Sequence, residues 1–407
     1  MGHIQDRWYR IVKDPTTGKG IRLKTMLCGT GLRYKVRYLD PDGNEKSKMY
    51  PDKCKKQAED FLIEVESSKR EGKYVDPRAG RIRFRKQAEN WIKGQSPDRA
   101  TREALQSRLK SQIYPYLGDL PVNSIKAATV RDWLGALDEK KLSQNYKTVL
   151  FTTLSSIMDS AVEDKLIMIN PCKARSIKRP SSPSSNIVVW PEEQLRAIQS
   201  ALPDQFRIIC AIGAGCGLRQ GEILGLSADD IDDQGESVHV QRQIRVVGRA
   251  LVFAPPKGGK KRRVPLSSGV LAAIRGHEQG FPSTEVTLCW DEPGGKPVTV
   301  GLLVTGDGGR LYTGDCFSKV VWQGAFRTAG VEYRKRADGM HALRHFYAST
   351  LLANGVSIKE LAEYLGHSDP GFTLRTYTHL VPSSYERARL AIDGVFGLRS
   401  ADGLEAA

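Results

Sequence analysis

Residues 341–379 read HALRHFYASTLLANGVSIKELAEYLGHSDPGFTLRTYTH. The chain holds seven histidines, and four of them, His341, His345, His367 and His379, fall within this stretch. His341 and Arg344 are three apart, so on a helix they share one face. Gly366 suits the left-handed position that ends a helix, which places His367 just past a helix end. Tyr377 follows His367 by ten residues, inside Thr376-Tyr377-Thr378-His379. A single histidine would read as a structural residue. Four of them beside an arginine and a tyrosine point to chemistry.

The same spacing recurs upstream. In Gly215-Cys216-Gly217-Leu218-Arg219-Gln220-Gly221-Glu222, Arg219 and Glu222 are three apart, so the carboxylate can hold the guanidinium in place. Between the two regions lies Ala254-Pro255-Pro256-Lys257-Gly258-Gly259-Lys260-Lys261-Arg262-Arg263-Val264-Pro265-Leu266, a basic segment with two glycines at its tip. Two arginines, two histidines and a tyrosine suit phosphoryl transfer. Arginine forks bind the non-bridging oxygens bidentately and stabilise transition-state charge. Histidine exchanges protons, and tyrosine can attack phosphorus to form a covalent phosphotyrosine. Fixed cations then do the electrostatic work, so neither a metal nor a cofactor is expected. The seven cysteines include no CxxC pair and no cluster with histidine, which predicts reduced, mostly buried thiols.

Composition narrows the partner. The 407 residues carry 62 Lys and Arg against 46 Asp and Glu, a net charge of +16, with 40% hydrophobic and 27% charged residues. That is a folded chain of two to four domains. Residues 1–180 carry 37 basic against 22 acidic residues, whereas 181–407 carry 25 against 24. The excess is therefore N-terminal, the footprint of a nucleic-acid-binding region as well as of a merely solvated surface. No apolar run approaches the length of a membrane span, and MGHIQDRWYRIVKD offers no apolar signal region. Asp6 stands where a myristoylation signal needs Ser or Thr.

Residues 8–50 predict a small antiparallel sheet, with strands Trp8–Lys13, Ile21–Leu27, Leu32–Leu39 and Lys46–Tyr50 and a turn at Asp40-Pro41-Asp42-Gly43-Asn44. Strict alternation puts Arg33, Lys35 and Arg37 on one face and Tyr34, Val36 and Tyr38 on the other. The second face is expected to pack on a helix at about Lys53–Lys69. The basic face is either simply wet or a DNA-reading ribbon. Residues 70–82 read as a linker, and Arg83 to about Ile169 as helical throughout. Tyr146, Leu150, Leu154, Ile157 and Ala161 line one face of a long helix, as Leu105, Leu109 and Ile113 do earlier. Ser/Pro-rich residues 176–186 form a second linker. Beyond it come a helix opened by Pro191, strands at Val238–Val247, Ala250–Phe253 and Arg263–Leu266, and helices from about Thr313 to Asp393.

In order and spacing, the motifs resemble the tyrosine recombinase family, specifically its phage-type integrases. The resemblance implies Arg219 as first arginine with Glu222 behind it, His341 and Arg344 as the His-x-x-Arg box, His367 as the next histidine and Tyr377 as nucleophile. It also implies a lysine on a β-hairpin, for which Lys257 is the best match and Lys260 and Lys261 are competitors. The implied fold is multidomain α+β. A sheet-plus-helix module (1–70) would bind arm-type DNA, a helical domain (83–175) would bind the core site, and a mainly α domain with a small antiparallel sheet (187–400) would catalyse. The implied function is site-specific integration, and excision, of a phage or mobile element in a bacterial cytoplasm. A homotetramer would act on double-stranded attachment sites, with an excision factor or host DNA-bending protein as possible helper. A segment ending in Ala391–Leu398 would pack against a neighbouring protomer. A chromosome-dimer or plasmid resolvase, a relaxing topoisomerase and an inactive DNA-binding relative are the alternatives. The two N-terminal modules and the complete motif set argue against them.

Overall fold

A computed structural model describes residues 2–13, 18–72, 74–76, 78–95, 98–181, 187, 189–377, 389 and 392–393. They belong to two compact units, Met1–Pro183 and Ser184–Ala407. Mainly helical, they carry small antiparallel sheets, the fold class expected. Thr378, His379 and nearly all of the segment ending in Ala391–Leu398 lie outside the described residues.

The first unit opens with strands β1 (His3–Asp6), β2 (Tyr9–Lys13), β3 (Gly20–Lys24), β4 (Tyr34–Leu39) and β5 (Glu45–Tyr50), followed by α1 (Lys55–Arg70). β4 is the centre of a sheet ordered β1-β4-β5, and β2 pairs with β3 as a separate hairpin. The period-2 reading of β4 holds: Tyr34, Val36 and Tyr38 are buried and pack against Ala58 and Val65 of α1. Tyr74 joins this core, its ring edge-on to Tyr38, so the first part of the expected linker belongs to the module. β1 went unread in the sequence because its four residues carry no apolar alternation; it is held by pairing to β4.

Helices α2 (Phe84–Gln95) and α3 (Arg99–Arg108) follow. α3 passes through a wider π turn, Leu109–Ile113, into α4 (Tyr114–Leu117). Pro115 lacks the N–H that a regular helix needs, and the loosened turn next to it is a common accommodation. The turn's Gln112 carbonyl accepts a hydrogen bond from the buried Trp133 indole at 2.9 Å. α5 (Ala127–Glu139) and α6 (Gln144–Glu163) complete the bundle. Leu150, Leu154, Ile157 and Ala161 of α6 are fully buried and meet Leu105, Leu109 and Ile113, the two faces expected from periodicity.

In the second unit α7 (Glu192–Ala201) and α8 (Asp204–Cys216) precede the short α9 (Gln220–Leu224). The sheet β10-β7-β6 uses Ile231–Asp232 (β6), Ser237–Val240 (β7) and Arg262–Pro265 (β10), while β8 (Gln243–Val247) and β9 (Ala250–Ala254) form their own hairpin. The expected single strand Val238–Val247 is thus two strands in different sheets. The chain breaks at Gln241-Arg242, where Arg242 leaves the ladder to fork the buried Asp230. α10 (Ser268–Gly280) and the hairpin β11 (Thr284–Cys289) with β12 (Pro297–Leu302) come next, in a region to which the sequence assigned nothing. α11 (Gly314–Phe317), a π turn, and α12 (Gln323–Thr328) lead to α13 (His341–Ala353), α14 (Ile358–Leu365) and α15 (Pro370–Tyr377). Cys172, Cys210 and Cys216 are buried; Cys28, Cys54, Cys289 and Cys316 are half-buried.

Two glycines set how closely α13 approaches α8. A Cβ at Gly213 would sit 2.5 Å from Leu343, and one at Gly217 would sit 2.4 Å from the Tyr347 ring. Gly217 also adopts φ +63°, which ends α8 and redirects the chain toward Arg219. The loop before α13 is tied down by buried Asp338, which accepts from the Trp190 indole (2.9 Å) and from the Arg334 guanidinium. These contacts bring the start of α13 to a defined place beside α9.

Candidate active site

Arg219 is not inside a helix, as its spacing suggested, but is the cap of α9. Its backbone N–H donates to Glu222 Oε2 (2.8 Å) and its Nη1 to Oε1 (2.9 Å), so the three-residue spacing works through a cap. Glu222 is buried and receives a second arginine from β10. Arg262 donates from Nη1 (3.0 Å) and Nη2 (2.7 Å) to the carboxylate, and from Nε to the Tyr364 carbonyl (2.7 Å). Burial alone would raise the Glu222 carboxyl. The hydrogen bonds and charges of Arg262 and Arg219 outweigh it and hold it at about 2.

Arg344, on α13, is almost fully buried. Nη1 donates to the Gly217 carbonyl at 2.7 Å, and Nη2 donates to the Leu365 carbonyl. The guanidinium therefore bridges the C-terminal ends of α8 and α14, where helix carbonyls have no partner within the helix. Gly366 closes α14 at φ +63°, as expected, and releases the chain so that His367 Nε2 lies 3.0 Å from Arg344 Nη2. Arginine only donates, so Nε2 accepts and Nδ1 carries the hydrogen, which goes to Thr373 Oγ1 at 2.7 Å.

The geometry gathers Arg219, His341, Arg344 and His367 around one recess of about 620 Å³, with Lys257 and Lys260 on its rim. The two lysines flank Gly258 and Gly259, both at positive φ in an exposed turn. The turn joins β9 to β10, strands of different sheets, so it is not the β-hairpin expected; Lys257 and Lys260 line the recess, the third candidate Lys261 does not, and Lys257 adds its charge at His341.

The recess holds more positive charge than its one buried carboxylate balances. Loss of water, then Arg344 and Arg219, push both His341 and His367 down to about 4, although the His341 ring is open to solvent on the recess side. Burial followed by Arg219 also pushes Arg344 below an ordinary guanidinium. Each shift has the sign that an anion in the recess would reverse.

Tyr377 ends α15 and is buried. Its hydroxyl hydrogen-bonds His345 Nδ1 at 2.9 Å, and the His345 ring stands perpendicular to His341 with centroids 4.6 Å apart. Burial raises the phenol, and Arg344 and Arg219 partly offset it. His345, Arg262 and Thr373 were not singled out in the sequence. His345 sits in the same HALRH run as Arg344. Arg262 shares the inward strand face with buried Val264. Thr373 has no signal beyond lying six residues after His367.

The N-terminal candidates lie in the other unit. Arg33 pairs with Asp6 and Asp52, each at 2.9 Å, and Arg37 pairs with Glu45, while Lys35 is half-buried between them. The strand's basic face is thus partly neutralised by its own module.

Residues 190–383 match the phage integrase family and residues 84–176 the phage integrase central domain. The chain belongs to the phage integrase family of tyrosine recombinases. It is 27% identical over 301 residues to a XerC-like tyrosine recombinase of Caldanaerobacter subterraneus subsp. tengcongensis, covering 68% of this chain and 73% of the relative. It is also 27% identical over 300 residues to the integrase of Mycobacterium phage L5, covering 73% and 75%. Among solved structures, the Tn1549 transposon integrase in complex with transposon right end DNA superposes with a TM-score of 0.65 at 19% identity, over 78% of this chain and all of that one. A lambda integrase tetramer bound to a Holliday junction does so at 0.54 and 16%, over 82% and 93%.

Glu222→Gln removes the carboxylate that two arginines share. The acid's folded value lies below its ordinary 4.5, so its contribution is complete above that value and is lost as pH falls toward about 2. At pH 7 the variant should be less stable by roughly 3 kcal/mol, and the gap should narrow toward about pH 3. Urea unfolding at the two pH values measures this.

Proposed function

We propose that this site-specific recombinase is an integrase that cuts and rejoins DNA through a 3′-phosphotyrosine at Tyr377. The observation that carries the reading is the recess itself. Four residues from three separated segments, Arg219, His341 with Arg344, and His367, converge on a space whose surplus charge suits one phosphodiester.

In this reading Arg219, Arg344 and His367 hold the non-bridging oxygens. Arg344 stays anchored by the carbonyls of Gly217 and Leu365, and Arg219 by Glu222, so little reorganisation accompanies reaction. Tyr377 attacks phosphorus, and Lys257 gives a proton to the departing 5′ oxygen. His341, next to His345 at the wall, is placed to take part in moving the nucleophile's proton. A 5′-hydroxyl from a partner duplex reverses the step, so strands exchange without ATP.

The family resemblance supports the assembly: four protomers on two duplexes, in a bacterial cytoplasm, aided by an excision factor or host DNA-bending protein. Among the described residues no helix is long and apolar enough to cross a membrane. The helical residues 83–175 would grip the core site and residues 187–400 would carry the chemistry. Residues 1–70, with Tyr74, would bind arm-type sites through Arg33, Lys35 and Arg37, with the acidic partners of the two arginines yielding to phosphates.

Tyr377→Phe should bind a core-site duplex normally and form no covalent adduct with a nicked suicide substrate; an adduct would assign the nucleophile elsewhere. Lys257→Ala should slow adduct formation by about 10²-fold or more, and a 5′-bridging sulfur, which leaves unprotonated, should restore it. Rescue of Lys260→Ala instead would move the acid to that position. Removing residues 1–76, a cut beyond Tyr74, should abolish arm-site binding and full integration yet leave core-only cleavage intact, as read by mobility shifts and adduct assays.

A further inference from the structure

We propose that His345 is the base that receives the proton of Tyr377. The proposal rests on the phosphotyrosine reading and assigns a residue that the motif pattern leaves without a role.

Three observations support it. The Tyr377 hydroxyl lies 2.9 Å from His345 Nδ1, a direct hydrogen bond to the atom that must lose a proton. Tyr377 is only 1% exposed, so bulk water is not available to take that proton. His341 lines the recess, but the hydroxyl's hydrogen bond is to His345, one ring further along α13. On a helix, Arg344 and His345 point about 100° apart. Arg344 turns to the phosphate recess while His345 turns to α15, so one short run serves both partners of the attack.

The groups facing His345 are His341 and Arg344 on its own helix and Tyr377 on α15. Burial, then His341 and Arg344, keep the imidazole neutral at ordinary pH, with its value near 3. Protonated on Nε2, the ring offers the Nδ1 lone pair to the hydroxyl at any pH where DNA is stable. A phosphodiester seated between Arg219 and Arg344 offsets part of the positive field, so basicity rises as the substrate arrives.

The step balances. As the Tyr377 oxygen–phosphorus bond forms, the hydroxyl proton passes to Nδ1 and His345 becomes an imidazolium. The bond from phosphorus to the 5′ oxygen breaks, and Lys257 supplies that oxygen's proton. In the return step the attacking 5′-hydroxyl gives its proton back to Lys257, and the phenolate recovers its own from His345.

The test uses the full chain and nicked suicide duplexes carrying a core site. His345→Asn keeps an acceptor oxygen near the Nδ1 position but cannot take a proton; His345→Ala removes both functions. Core-site binding by mobility shift serves as the control for folding. We expect wild-type adduct formation to be flat from about pH 6 to about pH 8.5. Both variants should bind normally but react about 10²-fold or more slowly at neutral pH, with rates climbing about tenfold per pH unit as hydroxide replaces the base. Asn at wild-type rate with a flat profile would make His345 a positioning residue only and overturn the proposal. An Ala variant that reacts faster than wild type would show that the contact restrains Tyr377, and would overturn it too. If the wild type itself forms no adduct, the phosphotyrosine reading fails before this one is reached.

Discussion

A guanidinium held between two helix ends organises the second unit. Arg344 donates to the last carbonyls of α8 and α14, and in doing so fixes the distance between segments more than a hundred residues apart in the chain. Carbonyl ends carry partial negative charge, so a buried arginine can be solvated there without a carboxylate of its own. That choice matters chemically. A carboxylate would have cancelled the charge that the recess needs, whereas carbonyl dipoles steady the side chain and leave its formal charge intact. Gly213 and Gly217 make the arrangement possible, because any side chain there would hold α13 away from α8.

The buried carboxylate beside the recess, Glu222, is placed where it costs least, and the exposed Asp369 on the recess lining is paired with Arg375. Glu222 takes a bidentate pair from Arg262 and, from Arg219, the backbone N–H and a single guanidinium contact, so the arginine facing the recess keeps donors to offer. The surrounding histidines answer the remaining charge by staying neutral. His341, His345 and His367 are all held well below their usual range, first by burial, then by Arg344 and Arg219 for His341 and His367 and by His341 and Arg344 for His345. A neutral imidazole can accept a proton as well as donate one, so the same field that attracts an anion also keeps proton acceptors ready.

Much of this was legible in residue order. Alternation assigned Tyr34, Val36 and Tyr38 to a core, spacing assigned Leu150 to Ala161 to a helix face, and Gly366 marked a helix end. Those are local properties, set by backbone geometry within a few residues. What stayed hidden depends on partners far along the chain. β1 is recognisable only through β4, the run 238–247 breaks only because Arg242 turns to Asp230, and Arg262 matters only because strand β10 carries it to Glu222. His345 was visible as a letter beside Arg344. Its meaning required knowing that α15 returns to place Tyr377 against it.

The lysine turn stands apart from this rigid frame. Arg219 and Arg344 are woven into helix ends, so replacing either disturbs the fold along with the chemistry. Lys257 to Lys260 project from an exposed turn whose two glycines, at positive φ, have open space where a Cβ would stand. Selection can therefore lengthen, shorten or recharge that turn at little structural penalty. The recess arginines are tied into helix ends and the turn is not, so divergence between related enzymes should gather in the turn.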